Sequence, residues 1–191
     1  MTKRNILKHT PRHSRSQALI DYAYSVAKTA HGNQVRKYTN TPYITHPLAV
    51  SHIVASVTDD CNMICAALLH DTIEDTELTF KDICNNGLGK DIANLVLELT
   101  DVAKPEDGNR AIRMKINREH TAKACPDAKT IKLADLIHNS VSICAYDKDF
   151  AQVYMKEKTL LLKVLTEGDQ DLYNKALNMV AKFNNIGTLH D

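Results

Sequence analysis

Apolar residues recur along this chain at three- and four-residue spacing, the period that gathers them on one face of a helix, and strand-like alternation is nearly absent. Ala18, Leu19, Tyr22, Val26 and Ala30 form one such stripe, and His31-Gly32 is a natural helix end. Residues 32–46 are polar and contain Pro42. They predict a loop, with Pro47 in the first turn of a second helix that runs to about Val57. Thr58-Asp59-Asp60 supply caps for a third helix, predicted to continue through Asp75. Thr79-Phe80-Lys81-Asp82 opens a short helix in the manner of a capping box. Further helices are predicted over residues 89–103, from the 105–108 break to about Ala124, from Pro126 to about Tyr146, and near 149–167 and 169–185. The chain therefore reads as all-α, a single bundle of about eight or nine helices. Residues 1–15, with Lys3, Arg4, Lys8, Arg12 and Arg15, read as a basic tail, and residues 16–191 as one domain without repeat or linker.

Composition narrows the partners. With 191 residues the chain is long enough for one well-formed core and short for two. A net charge of +1 provides no bulk field toward nucleic acid or membrane. No apolar run approaches the roughly 20 residues of a membrane span. A small-molecule ligand is the expectation that remains, with neither nucleic acid nor bilayer as partner. Cys61, Cys65, Cys84, Cys125 and Cys144 are odd in number and form no CxxC pair. They predict buried thiols in a reducing compartment. Because residues 1–15 also lack the apolar core of a secretory signal, a cytoplasmic location follows.

Candidate chemistry concentrates in Ala66-Ala67-Leu68-Leu69-His70-Asp71-Thr72-Ile73-Glu74-Asp75. In a continuous helix, His70 and Glu74 are four apart, as are Asp71 and Asp75, so an imidazole and three carboxylates crowd adjoining positions of one face. They do so toward the helix C-terminus, where the macrodipole disfavours negative charge, and with no basic partner nearby in sequence. A bound divalent cation would reverse those costs; spacing alone is equally consistent with a solvated acidic helix end. A second polar stripe, Lys132, Asp135, Asn139 and Ser142, runs along an otherwise apolar helix and reads either as a wet face or as one wall of a cleft. A third candidate is Tyr43-Ile44-Thr45-His46-Pro47, an imidazole held at a loop-to-helix junction.

Taken in order, His46, His70-Asp71 and Asp135 resemble the H…HD…D signature of HD-domain phosphohydrolases. Arg36-Lys37, Pro42-Tyr43-Ile44-Thr45-His46-Pro47, the run from Ala66 to Asp75, and Lys132-Leu133-Ala134-Asp135 with Asn139 are similar to the hydrolase domain of Rel/SpoT alarmone enzymes. They are more similar still to its stand-alone form, the small alarmone hydrolases that include the metazoan SpoT homologue. The resemblance covers approximately residues 15–165. It implies an HD-type helical bundle in which His46, His70, Asp71 and Asp135 ligate one Mn²⁺, a donor set whose hard oxygens suit that ion. It also implies that Glu74 and Asp75 position and activate the attacking water. Arg36 and Lys37 would contact the base, and Asn139 and Tyr154 the nucleotide. The implied reaction is hydrolysis of the 3′-pyrophosphate of (p)ppGpp-type alarmones, giving GDP or GTP and pyrophosphate. The chain has no room for the synthetase domain of the long relatives, so degradation and not synthesis is expected. Arg110, Arg113, Lys115 and Arg118 are candidates for the diphosphate side of the cleft, or else a solvated helix face. Tyr38-Thr39-Asn40-Thr41, where relatives often place glycine, and Ser140-Val141-Ser142, where relatives often carry arginine, depart from the pattern. Two alternatives follow: a phosphatase for another nucleotide, such as NADPH or a nucleoside monophosphate, or a non-catalytic nucleotide sensor.

Overall fold

A computed structural model describes residues 12–187. Its helices are α1 (Arg12–His31), α2 (Thr45–Ala55), α3 (Cys61–Leu69), α4 (Thr72–Asp75), α5 (Phe80–Asn85), α6 (Lys90–Leu99), α7 (Arg110–Thr121), α8 (Pro126–Tyr146), α9 (Lys148–Leu162) and α10 (Gln170–Gly187). A 3-10 turn over Pro105–Asp107 separates α6 from α7, and no strand forms among the described residues beyond one isolated bridge, Val35 to Pro42. The all-α expectation holds. No described helix is long and apolar enough to cross a membrane. α1 begins at Arg12, inside the segment read as a basic tail; residues 1–11 of that tail lie outside the described residues.

Most boundaries follow from local chemistry. Asp60 accepts from the backbone N–H of Asn62 and Met63 and so starts α3. Thr79 and Asp82 close the reciprocal capping box of α5. Asn109 caps α7 by accepting from the Ile112 N–H, and Pro126 occupies the first turn of α8, where its missing N–H costs nothing.

The third helix does not run through Asp75 as its periodicity predicts. It ends at Leu69, and α4 is a separate single turn. Side chains take up the carbonyls left at this end: the His70 ring bonds Ala67 O at 2.9 Å, and the Thr72 hydroxyl donates to Leu69 O at 2.7 Å. The break re-aims everything after it, so the acidic residues do not share one continuous helical face.

Two helices form the centre. α3 buries Met63 and every residue from Cys65 to Leu69, and it packs against α1, α2, α6 and α8. A short helix apolar on all sides belongs inside a bundle. α8 buries Ile131, Leu133, Ala134, Leu136 and Ile137 against α2, α6, α9 and α10. Its partly buried polar stripe, Lys132, Asp135, His138 and Asn139, faces the end of α3. The fold thereby brings the polar side of one central helix to the terminus of the other.

Gly168, between α9 and α10, is packed so closely on α8 that a Cβ there would lie 2.8 Å from Leu133 Cδ1 and 3.1 Å from the Lys129 carbonyl carbon. Gly168→Ala should therefore cost about 1–3 kcal/mol of stability, the usual range for overpacking. Urea unfolding measures this, and an unchanged midpoint would refute the close approach.

Candidate metal centre and active site

His46 lies in the first turn of α2, His70 and Asp71 in the break between α3 and α4, and Asp135 midway along α8. Their side chains meet. His46 Nε2 is 3.2 Å from Asp135 Oδ1 and 3.5 Å from Asp71 Oδ2; His70 Nε2 is 3.1 Å from Asp71 Oδ2 and 3.7 Å from Asp135 Oδ1. Donor atoms of His46, His70 and Asp135 all lie within 4.8 Å of one another, and both rings are buried.

The His70 ring tests whether a cation fits. Its Nδ1 bonds Ala67 O at 2.9 Å; a carbonyl only accepts, so Nδ1 carries a proton. In the neutral ring Nε2 is then a bare lone pair, and it is buried without a hydrogen-bond partner. That lone pair faces the oxygens of two carboxylates, an arrangement that repels unless a positive charge sits among them. Two imidazole nitrogens and hard carboxylate oxygens, with no thiolate, form a donor set that suits a first-row divalent ion. The residues fit.

Burial opposes charge on His70, yet Asp71 and Asp135 outweigh it and raise its pKa to about 10. With no ion between them, the ring itself would carry the positive charge these carboxylates demand; a divalent ion would take over that charge and leave Nε2 free as a ligand. For His46 burial wins, and its pKa is lowered. Burial would raise both aspartates; the facing imidazoles instead hold Asp71 and Asp135 below the ordinary carboxylate range.

A supporting layer surrounds the four groups, and two of its members carried no role in the sequence reading. Tyr43 donates to Asp71 Oδ2 at 2.7 Å and lies 3.4 Å from Asp75 Oδ2, while its ring stacks against His31 at 4.6 Å. Burial and the adjoining Asp71 raise its phenol pKa, so it stays a donor. His138 Nδ1 lies 2.7 Å from His46 Nδ1. Burial and the neighbouring His46 and Arg36 lower the His138 pKa to about 4, which makes it a neutral acceptor for a His46 N–H. With that proton on Nδ1, His46 turns Nε2 toward the carboxylates, the outer-layer fixing of tautomer that metal-binding histidines usually show.

Of the other residues singled out by sequence, Arg36 and Asn139 join this network. Arg36 donates to Asn139 Oδ1 at 2.8 Å, and Asn139 donates to Asp135 Oδ1 at 2.7 Å. Asp75 reaches it through Tyr43. Glu74 turns elsewhere and accepts from the Asp101 backbone N–H at 3.1 Å. Protein packed around its carboxyl, then the Asp101 charge, push the Glu74 pKa up to about 7; burial and Asp71 raise Asp75 as well. Lys37 is 72% exposed, beside Asp147 at 3.5 Å and over the Tyr38 ring. Tyr154 is buried under the Lys158 ammonium, with Phe150 alongside, and forms wall more than open surface.

The four basic candidates on α7 separate. Arg110 forms a two-bond pair with Glu157 at 2.7 and 2.8 Å, Arg113 donates to Gly108 O, and Lys115 pairs with Glu119 in the open. Arg118 lines a cavity with Lys132 and Lys158.

The HD-domain sequence profile matches residues 23–161, the span that holds all four converging groups. The chain belongs to the HD-domain family. This HD domain is 40% identical over 133 residues to the guanosine-3′,5′-bis(diphosphate) 3′-pyrophosphohydrolase MESH1 of Xenopus tropicalis, covering 66% of this chain and 70% of that one. An Aquifex aeolicus protein of the same enzymatic name is 34% identical over 154 residues, covering 80% of this chain and 21% of its own. The solved structure of a metazoan SpoT orthologue that hydrolyses ppGpp matches with a TM-score of 0.78 at 28% identity, over 86% of this chain and 95% of that one. By contrast, the HD domain matches only 15% of a Mycobacterium leprae protein named a probable GTP pyrophosphokinase.

Proposed function

We propose that this HD domain is a metal-dependent hydrolase of guanosine 3′,5′-bis(diphosphate)-type alarmones, releasing the 3′-diphosphate as pyrophosphate and leaving GDP or GTP. The observation that carries the reading is the buried, unpartnered His70 Nε2 facing Asp71 and Asp135 beside His46. His46, His70, Asp71 and Asp135 would hold one ion, for which Mn²⁺ is our assignment. Bound there, a divalent ion supplies Lewis acidity, lowering the pKa of water and drawing charge from phosphoryl oxygens.

The chain supplies the rest. Glu74 uses one oxygen for the Asp101 N–H and has no protein partner for the other among the described residues, which suits it to accept a proton from water. Asp75, linked to Asp71 through Tyr43, orients that water. Water adds to the phosphorus next to the sugar, the bond from that phosphorus to the 3′ oxygen breaks, and the 3′ oxygen leaves as a hydroxyl, taking up a proton that balances the one Glu74 accepts from the water. Arg36 and Lys37 at the cleft mouth would hold the base, Asn139 the nucleotide, and Tyr154 the wall behind it. Five unpaired cysteines support a reducing, cytoplasmic setting.

A turnover assay with Mn²⁺ tests the reading by its products. Pyrophosphate from ppGpp supports it. Orthophosphate from NADPH or a nucleoside monophosphate, without pyrophosphate from ppGpp, would convert the assignment to a nucleotide phosphatase. Binding without turnover would make the protein a sensor. Arg36→Ala should raise KM by about tenfold with a smaller change in kcat, as expected when binding shared by ground and transition states is lost. An unaltered KM removes Arg36 from substrate binding.

A further inference from the structure

A small chamber lies one helical turn along α8 from the metal centre. It has a volume of about 50 Å³ and is lined by Asn117, Arg118 and Thr121 of α7, Lys132 of α8, and Glu157 and Lys158 of α9, with Asp101 among its remaining walls. That is space for roughly one or two waters, or the outer oxygens of one phosphoryl group. Lys132 connects the two sites. It stands one helical turn before Asp135 on α8, and its pKa is raised, against burial, by Asp101, Asp135, Glu74 and Asp71 together.

The charges in this chamber do not balance. Lys132 donates to Leu99 O at 3.2 Å and has Asp101 at 3.8 Å. Glu157 is already engaged by Arg110 through two hydrogen bonds. Arg118 and Lys158 have no ion pair and no side-chain hydrogen bond among the described residues. The Lys158 ammonium only overlies the Tyr154 ring, at 4.7 Å. Burial, then repulsion from Lys132, push its pKa down. Asp101, Asp135 and Glu157 lie near enough to favour the Lys158 charge, but none of them pairs with it. Three cations drawn from three helices into one partly enclosed space, two of them making no ion pair, repel each other, and an entering anion relieves that repulsion. Such a chamber next to the hydrolytic carboxylates has an obvious ligand class.

We propose that Arg118, Lys132 and Lys158 form an anion subsite that takes the terminal phosphoryl group of a 3′-diphosphate. The inference rests on the phosphohydrolase reading above and deepens it: this chamber is what makes a 3′-diphosphate a better substrate than a 3′-monophosphate. The scissile phosphorus stays at the metal centre, and the next phosphoryl along the chain turns past Lys132 toward Arg118 and Lys158. Pre-placed cations of this kind are worth most where they meet charge held on the phosphoryl chain in the transition state.

Inorganic pyrophosphate titrated calorimetrically into the Mn²⁺-loaded protein tests the subsite directly. Arg118→Gln and Lys158→Gln should each weaken pyrophosphate by about tenfold, and the double variant by more, as for loss of charge-assisted hydrogen bonds. Orthophosphate, which cannot bridge both sites, should lose less. Mn²⁺ affinity and the melting temperature, measured on the same samples, report whether the metal centre and fold survive, and Arg118→Lys should restore most of the pyrophosphate affinity. In kinetics, the preference for a 3′-diphosphate over a 3′-monophosphate nucleotide should fall by about tenfold in the double variant. A folded, Mn²⁺-binding double variant that holds pyrophosphate as tightly as wild type overturns the subsite even if the wild-type protein hydrolyses ppGpp. Weakened pyrophosphate in the variants sustains it even if ppGpp proves not to be the substrate, in which case the alarmone reading alone fails.

Discussion

Replacing Asp135 with asparagine is expected to abolish tight Mn²⁺ binding, and turnover with it, in a protein that still folds. Asp135 Oδ1 lies nearest His46 Nε2, at 3.2 Å, and is also the acceptor for Asn139 at 2.7 Å, so this oxygen sits between the metal centre and the nucleotide-facing network. Asparagine keeps the shape and removes the charge. Its side chain is 14% exposed and opens on the cleft, so the substitution leaves the packed face of α8 intact. The loss should exceed the roughly 10–100-fold in metal affinity that removal of a supporting residue costs. His138→Phe, which deletes only the partner of His46 Nδ1, should fall within that lower range, and the contrast separates a ligand from a residue that orients one. Calorimetry with Mn²⁺ measures both. The thermal melt adds an independent reading: at a hundredfold excess over Kd, Mn²⁺ stabilises the wild-type fold by about 2.7 kcal/mol, or roughly 5–10 °C at this size. Asp135→Asn should show no such rise. One Mn²⁺ bound per chain at wild-type affinity in this variant would remove Asp135 from the centre and with it the metal-dependent reading.

What the sequence made legible was set by where the deciding interactions are local. α8 begins at Pro126 and ends at Tyr146 as its pattern predicts, because proline and apolar periodicity act within the segment itself. The capping box at Thr79 and Asp82 is equally local. The break at His70 and Asp71 was not legible. Helical spacing carries straight through it, and the bonds that end α3, His70 to Ala67 O and Thr72 to Leu69 O, are made by residue types that also occur inside helices. The break has one consequence for the site: uninterrupted helical spacing places Glu74 on the same face as the HD pair, yet it turns to the Asp101 N–H while Asp71 turns to Tyr43. The convergence of His46, His70 and Asp135 was legible only through the motif, since no spacing rule joins residues so far apart in the chain.

The residues that sequence reasoning passed over share one property: their partners are distant. Tyr43, between Pro42 and Ile44, looks like a packing residue until Asp71 is found opposite it. His138, on an apolar helix, looks like a buried core imidazole until His46 arrives from α2. The basic face of α7 poses the reverse case. Arg110, Arg113, Lys115 and Arg118 look alike in sequence, and only acids and carbonyls supplied from elsewhere decide which are neutralised. Glu157 takes Arg110, Glu119 takes Lys115, and Gly108 O takes Arg113. Arg118 is left to the chamber.

The second large effect falls on Glu74. If its carboxylate takes the proton from water, kcat/KM should climb tenfold per pH unit on the acid side and level off above about pH 7, the value to which burial and the Asp101 charge lift this carboxyl. The ordinary value for the group is 4.5, so without that environment the limb would lie well below neutrality. Glu74→Gln should lower kcat by roughly 10²-fold or more, abolish the limb, and leave Mn²⁺ binding in place, because Glu74 is not among the four converging groups. Asp101→Asn supplies the sign check. Removing that negative charge makes ionisation of Glu74 easier, so the limb should move to lower pH while the backbone N–H that Glu74 accepts is retained. The same raised pKa means that, between 4.5 and about 7, the folded protein binds more protons at this residue than the unfolded chain, so its contribution makes folding less favourable as pH rises through that window. Glu74→Gln should flatten this slope too, tying the catalytic and the folding titration to one carboxyl. A variant whose pH profile and kcat match wild type would take Glu74 out of the mechanism and leave Asp75, also raised by burial and held by Tyr43, as the proton acceptor.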